Sequence, residues 1–137
     1  MAGSNPSVQR FRKVLAAMPK PLKAATRKEL SKEGRKMVAA MKGAAPSGDK
    51  GALKRSVRMQ TKMSGMQITI RAGGRQTLSA QGAGRARRYD YSIGVEYGTK
   101  RIAAKPFFWP TYRARRDQVT DAIHNALRRS LKEAWNV

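Results

Sequence analysis

The sequence predicts an α+β fold: a small antiparallel β-sheet of three to four strands, packed by two N-terminal helices and one long C-terminal helix. Two observations support this fold class. Apolar residues recur at helical spacing before residue 43 and again after Pro110, whereas between these regions they alternate with polar residues at the period of a strand. The chain of 137 residues is long enough for one hydrophobic core and short for two. We therefore treat residues 1–137 as a single domain.

Prolines divide the N-terminal region into two predicted helices. The first carries an apolar stripe and ends at Pro19, because proline cannot continue a helix. Pro21 fits the first turn of a second helix, which we expect over residues 22–42. Within that helix Gly34 is either a weak position or a point of close packing. The stripe of the first helix is formed by Val8, Phe11, Leu15 and Met18.

A change to period two after residue 56 predicts strands. Apolar residues alternate from Val57 to Met63 and from Met66 to Ala72, around a turn at Ser64-Gly65, which indicates a β-hairpin. A second alternating run predicts another strand of the same sheet, ended by a glycine at position 98 that can adopt conformations closed to other residues. Its apolar face would be Tyr89, Tyr91, Ile93, Val95 and Tyr97, and its other face Asp90, Ser92, Gly94 and Glu96.

Residues 73–88 differ in composition from the rest of the chain. They are rich in glycine and arginine and contain almost nothing to bury, so we predict a long mobile basic loop. One interpretation is an arm that becomes ordered on phosphate or on a neighbouring subunit, and the other is a flexible surface excursion. The arginines of this loop are Arg75, Arg85, Arg87 and Arg88.

The last helix is predicted from Pro110 to about Trp135. Three arginines crowd its N-terminal end, where the helix dipole disfavours cations by a few tenths of a kcal/mol each. Their presence indicates that an anion or an acidic partner meets this end. Trp135 falls outside the apolar stripe and is therefore either part of a frayed end or an interface residue. The three arginines are Arg113, Arg115 and Arg116.

Charge is the most unusual bulk property of the chain. Thirty lysines and arginines stand against eight acidic residues, which gives a formal net charge of +22. A single globular copy with this charge repels itself, and a polyanion or an acidic partner would relieve the repulsion. Nucleic acid is the first candidate, and the alternative is that the basic residues only make the surface soluble. The basic residues are spread over all elements, which favours phosphate contact over base recognition.

The sequence argues against catalysis, cofactors and metal sites. The chain has no cysteine and one histidine, His124, predicted on the polar side of the last helix. Glu29 with Glu33, and Asp117 with Asp121, are carboxylate pairs at i, i+4 spacing, but no third metal ligand is suitably placed. The glycine-rich region contains no phosphate-binding motif of the Walker or dinucleotide type. No apolar run approaches the about 18 residues of a membrane span, and the N-terminus lacks a secretory signal pattern.

Three motifs resemble those of a known family. They are APSG at 45–48 followed by GALKRSV at 51–57, VEYGT at 95–99, and AKPFFWP at 104–110. In this order and spacing the chain resembles the minor tail, tail-completion or neck proteins of tailed phages. Two features depart from the family pattern: Asp49-Lys50 lengthens the first loop, and the arginines at 85–88 make this chain unusually basic.

The resemblance implies a structural subunit of a virion, assembled in the host cytoplasm and without enzymatic activity. Such subunits form a homo-oligomeric ring, here expected to be hexameric, around the DNA channel of the head–tail junction. The implied partners are adjacent connector or stopper proteins, tail-terminator or tail-tube proteins, and packaged double-stranded DNA contacted non-specifically, with no membrane. The alternative hypothesis is a basic protein that binds nucleic acid non-specifically.

Two sets of candidate site residues follow. The aromatic cluster at the start of the last helix is either a core corner or, with its neighbours, part of a subunit interface. The interface candidates are Tyr97, Phe107, Phe108, Trp109 and Trp135. The candidates for facing DNA are Arg75, Arg85, Arg87, Arg88, Arg113, Arg115 and Arg116.

Overall fold

A computed structural model confirms the α+β class. The structure describes residues 5–47, 51–80 and 88–135, without the side chains of residues 79, 80, 88 and 135. Two long helices form the frame of the fold: α2 spans Lys20–Ala44, and α5 spans Trp109–Trp135 and packs along it. The shorter helices are α1 (Pro6–Ala17), α3 (Ala52–Ser56) and α4 (Tyr91–Tyr97).

The helix boundaries follow the predicted proline signals. The side chain of Asn5 accepts a hydrogen bond from the backbone N–H of Ser7 and so caps α1, which has Pro6 in its first turn. Pro19 separates α1 from α2, as predicted, and Pro21 lies in the first turn of α2. The last helix begins at Trp109, one residue before the predicted start.

The predicted hairpin is confirmed, but it does not extend into a larger sheet. Strands β1 (Arg58–Lys62) and β2 (Gln67–Arg71) pair antiparallel and place Met59 opposite Ile70. A second pair consists of β3 (Leu78–Ala80) and β4 (Arg88–Asp90). The described strands therefore form two sheets of two strands each, rather than one sheet of three to four.

Gly34 is a point of close packing between α2 and the hairpin. A Cβ atom at this position would lie 2.6 Å from Sδ of Met59 and 3.2 Å from Cγ2 of Ile68. Glycine therefore lets the apolar face of the hairpin approach the backbone of α2. Gly43, one residue before the end of the same helix, has no atom within 4 Å of such a Cβ.

The hydrophobic core lies where the C-terminal half of α2, helix α3 and the residues just before α5 meet. Phe107 is 1% exposed and is the largest of the fully buried side chains. This confirms the interpretation of the aromatic cluster as a core corner for Phe107, and corrects its place among the interface candidates, because a buried ring offers no surface to a partner. The other buried apolar residues of this cluster are Met37, Met41, Ala45, Leu53 and Val57.

The predicted strand over residues 89–97 is wrong over most of its length. Only Tyr89 and Asp90 belong to a strand, and residues 91–97 form α4. The helix buries Ser92 and Glu96, which lie one turn apart, and exposes Ile93, which belonged to the predicted apolar face. Polar partners for the buried side chains, described below, outweigh the strand preference of the aromatic and β-branched residues.

The predicted loop over residues 73–88 is also partly wrong. Residues 75–77 form a 3-10 turn and lead directly into β3, and both Gly73 and Thr77 are buried. Segment 73–77 is therefore a packed part of the fold. The middle of the predicted loop, residues 81–87, lies outside the described residues.

We expect Gly34→Val to destabilise the protein by about 1–3 kcal/mol, because its side chain would overlap Met59 and Ile68. The matched control is Gly43→Val, which fills open space and should change stability by less than about 0.5 kcal/mol. Urea unfolding followed by circular dichroism measures both. Equal stabilities of the two variants would contradict the close packing of α2 on the hairpin.

Candidate functional site: an aromatic and basic surface at the start of the last helix

A buried carboxylate joins α4 to the beginning of α5. Oε2 of Glu96 accepts hydrogen bonds from the backbone N–H groups of Phe107 at 2.8 Å and Phe108 at 3.0 Å, and Oε1 accepts one from Trp109 at 3.0 Å. These N–H groups precede or begin a helix and have no carbonyl partner within it. One side chain therefore satisfies three backbone donors and fixes where α5 starts.

Glu96 also places a negative charge at the positive end of the α5 dipole. The first turn of α5 contains no acidic residue of its own. A carboxylate at a helix N-terminus stabilises it by about 0.3–2 kcal/mol, depending on burial. The positive end of the helix dipole is thus compensated from within the chain, by a carboxylate that lies on α4.

A second carboxylate fixes the other end of α4. Oδ1 of Asp90 accepts hydrogen bonds from the backbone N–H of Ser92 at 3.0 Å, its hydroxyl at 2.6 Å and the hydroxyl of Thr77 at 2.6 Å. Oδ2 accepts one from the N–H of Gly74 at 2.9 Å. Asp90 is therefore the N-cap of α4 and also ties that helix to the segment before β3.

Burial and hydrogen bonding act in opposite directions on the pKa of Asp90. Burial raises the pKa of the carboxyl group, while the bonds from Ser92, Thr77 and Gly74 lower it, and together they leave the pKa below its ordinary value. The ionised form is thus favoured in the folded protein. Gly73 leaves room for this network: it has a φ of +89°, and a Cβ there would overlap the Ser92 hydroxyl and the Asp90 carboxylate.

The connection from α4 to α5 has little regular secondary structure, but it is ordered by backbone hydrogen bonds. Gly98 ends α4 with a φ of +79°, and a Cβ there would lie 3.0 Å from the backbone nitrogen of Ala104. The N–H of Thr99 donates to the carbonyl of Ile102 at 2.9 Å, and the N–H of Lys105 donates to the carbonyl of Val95 at 2.7 Å. This glycine therefore ends a helix rather than the predicted strand.

These contacts present a contiguous group of exposed apolar and aromatic side chains, which we call the aromatic surface: Ile93, Tyr97, Trp109 and Tyr112. Tyr97 is 68% exposed and Trp109 43%. Nε1 of Trp109 donates a hydrogen bond to the Tyr97 hydroxyl at 2.9 Å, and the Trp109 ring meets the Tyr112 ring edge-on at 5.9 Å between centroids. Exposed, ordered aromatic groups of this kind are typical of protein interfaces.

Positively charged residues flank the residues of the aromatic surface in the sequence. Arg116 is exposed and lies 3.6 Å from the exposed carboxylate of Asp117, and Arg115 is half-buried. The site thus combines exposed rings and hydroxyl groups with exposed positive charges close by in the sequence. The exposed cations that flank it in sequence are Lys100, Arg101, Lys105, Arg113 and Arg116.

The structure brings together only part of the predicted interface set. Tyr97 and Trp109 belong to the aromatic surface, and Phe108 is half-buried beneath it, in edge-on contact with Trp109 at 5.1 Å. The backbone of Trp135 ends α5, and its side chain lies outside the described residues.

The predicted DNA-facing arginines are distributed over the chain. Arg75 is exposed on the 3-10 turn before β3, far in sequence from the three arginines of α5. Arg88 contributes its backbone to β4, and its side chain is outside the described part. Arg85 and Arg87 lie among the residues that the structure does not describe.

Sequence reasoning missed the two carboxylates that build the site. The sequence analysis places Asp90 and Glu96 on the second face of a strand and gives them no role, yet both are hydrogen-bonded inside the fold. One weak signal is present in the sequence: aspartate, as at position 90, is a preferred residue at helix N-caps. No sequence signal paired Glu96 with the amides of residues 107–109, because that contact depends on tertiary packing.

Within residues 5–47, 51–80 and 88–135, no group of three or more histidine, aspartate or glutamate side chains is placed to hold a metal ion. None of the helices in the described chain is long and apolar enough to cross a bilayer. Comparisons with family models, curated proteins and solved structures find nothing that matches this chain. Function is therefore inferred from the residues and their geometry.

We expect Glu96→Gln to lower the free energy of unfolding by about 1–3 kcal/mol, because an amide NH₂ would face at least one buried backbone N–H. Glu133→Gln, an exposed substitution near the other end of α5, is the matched control and should cost less than about 0.5 kcal/mol. Chemical denaturation of both variants measures the difference. A loss no greater than that of the control would show that the Glu96 contacts do not stabilise the fold.

We expect Asp90 to make stability depend on pH in the acid range. Because its pKa is lowered by folding, its contribution is present above the unfolded value of about 3.9 and is lost as pH falls through the folded value. The stability difference between the wild type and Asp90→Asn should therefore shrink on acidification, as measured by urea unfolding at a series of pH values. Asp121→Asn, at an exposed position, is the control, and a pH-independent difference for Asp90→Asn would contradict the assignment.

Proposed function

We propose that the protein is a structural subunit of a tailed phage or phage-like particle. It forms a homo-oligomeric ring, of six copies in the simplest case, at the head–tail junction around the DNA channel. Its neighbours are connector or stopper proteins on one side and tail-terminator or tail-tube proteins on the other. In this role it acts through shape and charge, without catalysis.

One observation carries the proposal. Glu96, from the VEYGT motif, binds the backbone at 107–109, within the AKPFFWP motif. Two separate stretches that resemble the phage family therefore form a single structural unit. That unit leaves Tyr97 and Trp109 exposed and linked by a hydrogen bond, which is suited to contact with a second subunit.

The charge of the chain supports the channel part of the proposal. Eight acids cannot neutralise thirty basic residues, and two of the eight, Glu33 and Glu96, are buried. A ring would concentrate the remaining positive charge around a polyanion and so relieve the repulsion between subunits. The same charge also favours a second candidate function, non-specific binding of nucleic acid by the free protein, which needs no ring.

The proposal is tested by electron microscopy of particles that lack this protein. We expect DNA-filled heads lying apart from complete tails, because the joining ring is missing. Normal, infectious particles would overturn the joining role and leave nucleic-acid binding by the free protein as the better hypothesis.

Complementation of the deletion tests the aromatic surface separately. Tyr97→Ala removes the most exposed ring of that surface, and we expect it to reduce head–tail joining at least about tenfold, as interface hot spots do. Tyr97→Phe keeps the ring and should restore joining. Circular dichroism of both variants shows whether they fold, and full joining by folded Tyr97→Ala would exclude the aromatic surface as the interface.

A further inference from the structure

A groove between α2 and the tip of the hairpin is lined by cations and polar groups. Its lining in the described chain consists of Arg27, Lys28, Ser31, Lys32, Arg35, Thr61 and Gly65. Four of these seven residues are positively charged, and no carboxylate is among them. None of the four belongs to the arginines that the sequence indicated as facing DNA.

Two of the four cations, Arg27 and Arg35, contact the walls of the groove. Gly65, in the hairpin turn, lies against Arg27, so closely that an added Cβ would be 3.1 Å from the Cγ and Cδ atoms of that side chain. Arg35 donates a hydrogen bond from its guanidinium to the Ser31 hydroxyl at 2.8 Å. The aliphatic part of Arg27 thus packs on protein, and its charged end remains exposed at the surface.

A second groove, between α2 and α5, is also lined by cations and extends the positively charged surface across α2. Lys32 lines both grooves, so they form one surface, which we call the α2 basic face. Glu33 also lines the second groove, but it is buried and bonded to Lys36 at 3.2 Å. Together the two grooves contain eight cations against two carboxylates, the other being Glu29. The cations are Arg27, Lys28, Lys32, Arg35, Lys36, Arg128, Arg129 and Lys132.

The α2 basic face differs from the aromatic surface in a way that indicates its partner. None of the exposed large hydrophobic residues of the described chain lies in α2, in the hairpin or between residues 122 and 132 of α5. Protein interfaces have an apolar or aromatic centre, whereas phosphate contacts are made by cations, hydroxyl and amide groups and need no apolar centre. Lys28, Lys32 and Lys36 form a row that rises by about 6 Å per step, which suits an extended polyanion better than a single small anion.

We propose that the α2 basic face binds the phosphate backbone of duplex nucleic acid, without sequence specificity. That the duplex is packaged DNA rests on the proposed function. The inference deepens that function by assigning the DNA contact to a face formed by helices, rather than to the predicted arginine loop. The binding itself needs only one folded copy of the chain.

The test is fluorescence anisotropy of the isolated protein with a short mixed-sequence DNA duplex at several salt concentrations. In the first variant Arg27, Lys28, Lys32 and Arg35 are all replaced by glutamine. We expect its affinity to fall at least about tenfold, and the slope of log K against log salt, which is negative, to become shallower by about 2–4. The matched control replaces Arg10, Lys13, Lys20 and Arg71 by glutamine, an equal charge change at exposed positions that line neither groove.

A single substitution keeps the test valid if the fourfold variant does not fold. Ser31→Glu adds one carboxylate to the groove at a half-exposed position of α2, and should weaken duplex binding while circular dichroism remains that of the wild type. Polyglutamate serves as a second probe, and we expect it to compete poorly with the duplex at equal charge.

Three results would overturn the inference: no duplex binding by the wild type, an equal loss in the fourfold variant and its control, or competition by polyglutamate as strong as by duplex. The second would show that total charge alone governs binding, and the third that an acidic protein is an equally good partner. Each result leaves the head–tail joining role standing, because that role is judged by microscopy of particles that lack the protein.

Discussion

The contact on which most of the fold's functional surface depends is the one between Glu96 and the backbone of residues 107–109. Burying a carboxylate is costly unless its charge is compensated, and three N–H donors together with a helix dipole provide that compensation. The same contact fixes the position of α4 relative to the start of α5. The Tyr97 ring on one helix and the Trp109 ring on the other can then meet through a direct hydrogen bond while both remain exposed.

Three of the eight acidic residues of the chain are used inside the fold, whereas many of its basic residues are exposed. Asp90 and Glu96 fix the two ends of α4, and Glu33 is buried on α2 with Lys36 as its ion-pair partner. Carboxylates used in this way do little to neutralise a net charge of +22. The structure thereby separates an aromatic surface suited to protein contact from an α2 basic face suited to phosphate.

Much of the fold could be predicted from the sequence, because helical spacing with proline boundaries and a two-residue period are local signals. They located α1, α2, α5 and the hairpin. The failure came at α4, where alternating aromatic residues favour a strand and only tertiary contacts favour a helix. Asp90 and Glu96 find their buried partners only in that helix, so their roles could not be derived from spacing. The α2 basic face could not be derived from spacing either, because its cations come from two helices, α2 and α5, that are far apart in the sequence.

The most direct measurement of the central contact is amide hydrogen exchange at Phe107, Phe108 and Trp109. If Glu96 holds these three N–H groups, they should exchange as slowly as amides inside α2, although the preceding residues 103–106 are exposed and outside regular secondary structure. Exchange at the rate of an exposed loop would contradict the account, because the carboxylate would then not determine where α5 begins or how the aromatic surface is formed.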